Sequence, residues 1–212
     1  MPRQNRVNPF GELIATSARG RFMGNRGVLH DDAGRLTAKR WSHNHWITCL
    51  LKFGDSEEKP RPLMAPGCYT ELFFLDEATS LAAGHRPCAE CRRDDFNRFK
   101  RAWIDGNLIV GLDGFVGVNT LDQVLHRERV TRDRRKVTYK AKLGELPDGV
   151  LVAFADNPGD AYLFWGGQVL RWSPEGYGKG VEADRSISVL VLTPASTVNA
   201  IQSGYRPQVG VG

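Results

Sequence analysis

The chain has 212 residues, 41% hydrophobic and 9% aromatic, enough for one sizeable core or two small ones. No stretch approaches the roughly 20 apolar residues of a membrane span, and the run from Met1 to Arg26 never builds the apolar segment of a secretory leader, so a soluble cytoplasmic protein is expected. A net charge of +5 points to an anionic partner; Arg127 to Lys142 holds eight basic residues against two acidic ones, so the rest of the chain sums to −1.

In chain order, Met1 to Asn8 reads as a loosely held polar tail and Gly11 to Thr37 as short strands and turns. Leu29 to Leu36 predicts a hairpin tipped by Asp31-Asp32-Ala33-Gly34, which makes His30, Asp31 and Asp32 the nearest approach to an acid-base cluster, although such residues usually serve the turn. Gly24-Asn25-Arg26-Gly27 is a weak signal for a backbone phosphate nest. His43-Asn44-His45 spells the letters of a nuclease motif without its spacing. On a strand both histidines face one side, able to bind a metal or phosphate but more simply polar neighbours of Trp41 and Trp46.

Trp46 to Phe53 predicts a strand carrying Cys49, Asp55 to Pro62 a charged loop, and Cys68 follows a Pro-Gly turn. Leu72-Phe73-Phe74 predicts another strand. Asp76 can cap a helix through Ala83, with Gly84 stopping it. A second helix follows Cys91, with Phe96, Phe99 and Trp103 on one face and Gly106 closing it.

All four cysteines fall between residues 49 and 91, and Cys88-Ala89-Glu90-Cys91 is a turn that presents two thiolates on one side. In a reducing compartment such a cluster is a better metal site than a disulfide pair, and Cys49 and Cys68 can complete four ligands for Zn2+. A site closed by four thiolates has no position for water, which makes the ion structural rather than hydrolytic. His85, beside the turn, is expected to donate to a sulfur.

The run Glu71 to Cys91, with its strand, helix, Ala82-Ala83-Gly84 and Arg86-Pro87-Cys88-Ala89-Glu90-Cys91, resembles the second half of the zinc-binding domain of Ada-type DNA alkylation repair proteins. That resemblance implies a zinc ion on four cysteines, with Cys88 and Cys91 as the later pair, and DNA as partner by analogy. In the family the first two ligands form a close pair, one of which accepts a methyl group. Here eighteen residues separate Cys49 from Cys68, so that role is not carried over.

Beyond Gly106, Leu108 to Leu112 with Phe115 to Val118 suggests a hairpin and Leu121 to Arg129 a short helix carrying His126. Strand-like runs follow at Val137-Thr138-Tyr139, Gly149 to Phe154, Ala161 to Phe164, Val169 to Trp172 and Ile187 to Leu192, with Trp165-Gly166-Gly167-Gln168 as a tight turn. Thr193 and Pro194 predict the start of a final helix ending near Gly204. The expected fold is α+β. A zinc-knuckle part with two short helices, residues 1–106, packs against a β-rich part, residues 107–212, forming a small twisted sheet or partly closed barrel with a terminal helix.

Arg92, Arg93, Arg98 and Arg101 on the helix after the metal turn, and Arg127, Arg129, Arg132, Arg134, Arg135 and Lys136 in the basic segment, are the candidate nucleic-acid contacts, with Thr138 and Tyr139 interleaved. His126 among them is expected to lose proton affinity. The composite expectation is a zinc-stabilised, DNA-associated binding protein. The alternatives are an enzyme acting on nucleic acid or a nucleotide through His30, His126 or the Trp165 to Trp172 hairpin, and a sacrificial zinc thiolate that accepts an alkyl group.

Overall fold

The computed structural model describes residues 2–52, 62–107 and 116–211. The charged loop after Asp55 and the apolar segment of residues 108–115 lie outside them. The fold is α+β, with two sheets and, among the described residues, four α-helices.

Six strands make the first sheet: β1 (Gln4–Val7), β2 (Leu13–Ala15), β3 (Phe22–Asn25), β4 (Ile47–Cys49), β5 (Leu72–Phe74) and β6 (Arg86–Pro87), in the order β2-β1-β5-β3-β4-β6. The polar start of the chain is therefore a strand rather than a loose tail: Arg6 lies opposite Phe73 in a parallel pair, and buried Asn5 donates to the Glu71 carbonyl at 3.2 Å. Gly24 lets β3 and β4 close up, because a Cβ there would come within 2.1 Å of the Ile47 carbonyl oxygen.

Helix α1 (Glu77–Ala82) is capped by Asp76, which accepts from the Thr79 amide at 2.8 Å, an arrangement that stabilises a helix by about 1 kcal/mol. Gly84, at φ +85°, ends it and turns the chain into β6. Helix α2 (Arg93–Asn107) buries Phe96, Phe99 and Trp103 as its 3.6-residue spacing requires. Gly106 stands inside α2 where α4 (Ala195–Gln202) crosses, and a Cβ there would meet the Asn199 carbonyl at 2.4 Å.

Between them lies α3 (Val118–Arg129). Its Glu128 caps α4, accepting from the Ser196 amide at 3.0 Å. The Thr193 hydroxyl is occupied elsewhere, taking the Leu151 amide, which corrects the expected cap.

The second sheet has β7 (Tyr139–Lys142), β8 (Val150–Phe154), β9 (Asn157–Trp165), β10 (Gln168–Ser173), β11 (Gly176–Tyr177), β12 (Val181–Glu182) and β13 (Ser188–Val191), ordered β11-β10-β9-β8-β13-β7 with β12 against β10. It is an open sheet, not a barrel. Gly166 and Gly167, at φ +57° and +77°, form the two-residue hairpin turn between β9 and β10.

One buried cluster joins Leu81, Phe99 and Trp103 to Val150, Val152, Phe164, Val191 and Ile201. Residues from both sides of Gly106 share this core, each large side chain contributing about 1.5–3 kcal/mol on burial.

Candidate metal centre and cationic recess

The parallel pairing of β4 with β6 sets Ile47 opposite Arg86 and Thr48 opposite Pro87, so the next step brings Cys49 beside Cys88. The Cys88 amide donates to the Thr48 carbonyl at 2.9 Å, fixing that register. Cys91 returns from the turn that opens α2, and the sulfurs of Cys49, Cys88 and Cys91 all lie within 4.8 Å of one another.

Thiolates at about 2.3 Å from a tetrahedral ion stand about 3.8 Å apart, so this trio fits a thiophilic metal. The Glu90 amide points at the Cys88 sulfur at 3.5 Å. Cys88 is drawn down to about 5, first by the Cys49 thiol donating to it and then by the Glu90 and Cys91 amides. The Cys49 thiol is held up by that donation and by burial, and Cys91 is raised by burial. Three sulfurs competing for one proton-poor centre are what a divalent cation relieves.

Cys68 is not part of this cluster. Its segment is tied toward β3 and the His30 hairpin: Thr70 donates its amide to the Gly27 carbonyl at 3.0 Å, and His30 bonds the Ala65 carbonyl and the Thr70 hydroxyl. The Pro-Gly turn therefore serves the His30 hairpin rather than the cysteine cluster.

The second feature is a recess of about 310 Å³ between the end of α1, the start of β4 and the segment after α3. Arg26, Arg40, Trp41, Trp46, Ala83, Arg129, Arg134, Arg135 and Lys136 line it. Exposed Glu12 is the one carboxylate among its lining residues.

Arg26 is 2% exposed: Nε donates to His85 Nε2 at 3.0 Å, Nη1 to the Gly11 carbonyl at 2.8 Å, and Nη2 has no partner among the described residues. Arg129 is equally buried, donating to the Gly84 and Asn44 carbonyls, with Nε unpartnered among the described residues. Both guanidinium carbons lie near the Trp46 ring, at 4.0 and 3.9 Å from its centroid. The Lys136 amine donates to the Ala82 carbonyl.

Burial and mutual repulsion set the electrostatics. Arg26 is lowered to about 9 by burial and then Arg40; Lys136 is lowered to about 7 by burial, Arg26 and Arg129; Arg129 is pushed well below its ordinary value by burial and then Arg26. These are cations gathered without enough anions, a costly arrangement for a protein interior.

The arginine run is a defined loop. Val130 bridges Lys136, Thr131 donates its amide to the Arg135 carbonyl at 2.9 Å, and the Thr131 hydroxyl accepts the Arg135 amide at 3.1 Å. The Asp31 to Arg35 hairpin tip has the same geometry, with Asp31 in the place of Thr131 and Gly34 at φ +71° in the place of Arg134 at φ +63°. A non-glycine in that conformation is strained.

Of the other candidate contacts, Arg93, Arg101, Arg127 and Arg132 are exposed but line no part of the recess, and exposed Arg98 is paired with Asp95. Arg92 is no surface contact at all: it is buried in an ion pair with Glu77 at 2.7 Å. Arg129 and Lys136 line the recess rather than standing on an exposed face.

His43 and His45 lie in a bend before β4, with His45 Nδ1 2.7 Å from the buried Asp122, which Arg86 holds with two bonds of 2.8 Å. His85 serves Arg26, not a sulfur. His126 accepts from Arg129 and is lowered by burial and that neighbour. Arg40 had no motif to mark it, Trp41 entered only as a neighbour of the His43 to His45 stretch, and Arg26 stood only inside the Gly24 to Gly27 nest signal.

Comparison with protein-family models, with curated proteins and with solved structures finds no match to this chain.

Proposed function

We propose that this is a zinc-stabilised nucleic-acid-binding protein that takes phosphates into the recess and along the arginine loop. The carrying observation is the convergence of Arg26, Arg40, Arg129, Arg134, Arg135 and Lys136 on one cavity with a single exposed carboxylate. Buried guanidinium groups with free donors favour phosphate, whose oxygens match the guanidinium fork. A more open groove shares Arg40, Arg134 and Arg135 with the recess and adds Lys39 against a single acid, Asp133, extending the cationic track.

Zinc on Cys49, Cys88 and Cys91 pins the β4–β6 edge and the start of α2, which positions the wall of the recess. The thiolate donor set and the likeness of Glu71 to Cys91 to Ada-type zinc domains support that ion and DNA as the polyanion. Anisotropy of a labelled DNA oligonucleotide tests the reading. If Arg40, Arg132, Arg134 and Arg135 neutralise four phosphates, affinity falls about 50- to 150-fold between about 50 and 200 mM salt. Absent or salt-independent binding would overturn it.

A further inference from the structure

Resting on that reading, we infer that the recess is the seat of a terminal phosphate, a phosphomonoester carried on a nucleoside, with Trp41 as the platform for the adjoining base. The floor is closed. Arg26, Trp46, Ala83 and Arg129 are all buried there, and a volume of about 310 Å³ lies at the small end of the roughly 300–1,000 Å³ of small-molecule sites. A continuous strand would have to enter and leave, whereas a chain end needs only one opening.

Charge leads to the same group. Arg26, Arg129 and Lys136 are three inward cations, and a phosphomonoester carries about −1.5 to −2 near neutral pH, where an internal diester carries one charge. Its three terminal oxygens match in number the three inward side chains Arg26, Arg129 and Lys136. Arg26 Nη2 and Arg129 Nε are buried and have no partner among the described residues, donors that a small shift of either guanidinium turns to a phosphate.

Gly11, at a φ of +82° where most side chains are strained, leaves the wall beside Arg26 Nη2 bare, although a Cβ there would sit at an ordinary contact distance of 3.6 Å. Trp41 is half-buried at the recess, its ring nearly perpendicular to that of His126 with centroids 5.3 Å apart. Ring faces of this kind stack on bases without sequence preference. From there the shared Arg40, Arg134 and Arg135 lead into the outer groove, the exit path for the rest of a strand.

The test compares one labelled oligonucleotide with a 5′-phosphate, a 3′-phosphate or hydroxyl ends, together with a free nucleoside monophosphate as competitor, on wild type, Lys136→Met and Trp41→Ala. A preference of about tenfold or more for one phosphorylated end over hydroxyl ends is expected, lost in Lys136→Met, with Trp41→Ala weakening both forms. Lys136→Met replaces a half-buried cation with an apolar chain of similar length. If it fails to fold, Arg40→Gln at the exposed mouth is expected to lower the end preference instead. Competition by the monophosphate without oligonucleotide binding would uphold the phosphate seat and remove the nucleic-acid reading. Equal affinity for phosphorylated and hydroxyl ends would overturn the seat and leave the polyanion reading standing. No binding of any probe would overturn both.

Discussion

Arg26 Nε donates to His85 Nε2 at 3.0 Å, and the opposite ring nitrogen of His85 donates to the Ile47 carbonyl at 3.1 Å. That pair fixes the imidazole as a neutral Nδ1–H tautomer, in keeping with its lowering by burial and then by Arg26. It also ties the recess to the metal edge, because Ile47 precedes Cys49 by two residues and His85 precedes Cys88 by three.

Metal removal is therefore expected to act on both features. A metal bound at about 1,000-fold above its Kd contributes about 4 kcal/mol. At about 2–4 °C per kcal/mol for a chain of this size, chelation lowers Tm by about 8–16 °C and weakens oligonucleotide binding with it. Metal analysis of Cys49→Ser, Cys88→Ser and Cys91→Ser is expected to show loss of the ion, and of Cys68→Ser its retention. An ion kept by Cys88→Ser would remove the trio as its ligands.

Arg134 separates binding from stability. Its φ of +63° suits glycine, so Arg134→Gly is expected to hold or raise stability by up to about 1 kcal/mol in urea unfolding. The same change removes a cation from the recess and groove, making the slope of log affinity against log salt shallower by about 0.7–0.9. A destabilised variant with an unchanged slope would assign Arg134 to the fold alone.

Local features of the fold were legible because short-range chemistry fixes them: the Asp76 cap, the Gly84 stop, the Phe96, Phe99 and Trp103 face, and the Gly166-Gly167 turn. The Cys88–Cys91 turn was legible for the same reason. Long-range pairing was not. Cys49 joins that turn through a parallel bridge between β4 and β6, while Cys68 is drawn to the His30 hairpin. Charge runs hide burial as well: Arg92 and Arg129 look like their exposed neighbours in sequence, but one is neutralised by Glu77 and the other is stacked near Trp46.

Lys136 gives a pH signature. Its amine is lowered from 10.5 to about 7 on folding, so the unfolded chain binds more protons between those values and stability rises with pH across that window. Below about 7 the folded protein carries the full burden of a charged amine facing Arg26 and Arg129. Urea unfolding at about pH 6.5 and about pH 9 is expected to show the rise, and Lys136→Met to reduce it. Saturating phosphate is expected to stabilise the charged amine and flatten the gradient. A stability that falls over this range in wild type and variant alike would contradict the placement.

Glu77 is the structural counterpart to the recess. Buried, it accepts from Arg92 at 2.7 Å, the Tyr205 hydroxyl at 2.6 Å and the Gln208 amide at 2.8 Å, tying α1, α2 and the C-terminal segment together. Glu77→Leu leaves Arg92 only Asp95, at 2.8 Å, and strips the Tyr205 hydroxyl and Gln208 amide of their acceptor, and is expected to cost about 3–5 kcal/mol in urea unfolding. The folded variant is expected to keep the salt slope of oligonucleotide binding, since neither residue lines the recess.

Amine-selective labelling read by peptide mass spectrometry probes the recess most directly. With saturating oligonucleotide, Lys136 is predicted to label about tenfold or more slowly, while exposed Lys140 and Lys142 on β7 label as before. Lys136 labelling at the same rate with and without nucleic acid would contradict a phosphate held by the buried cations.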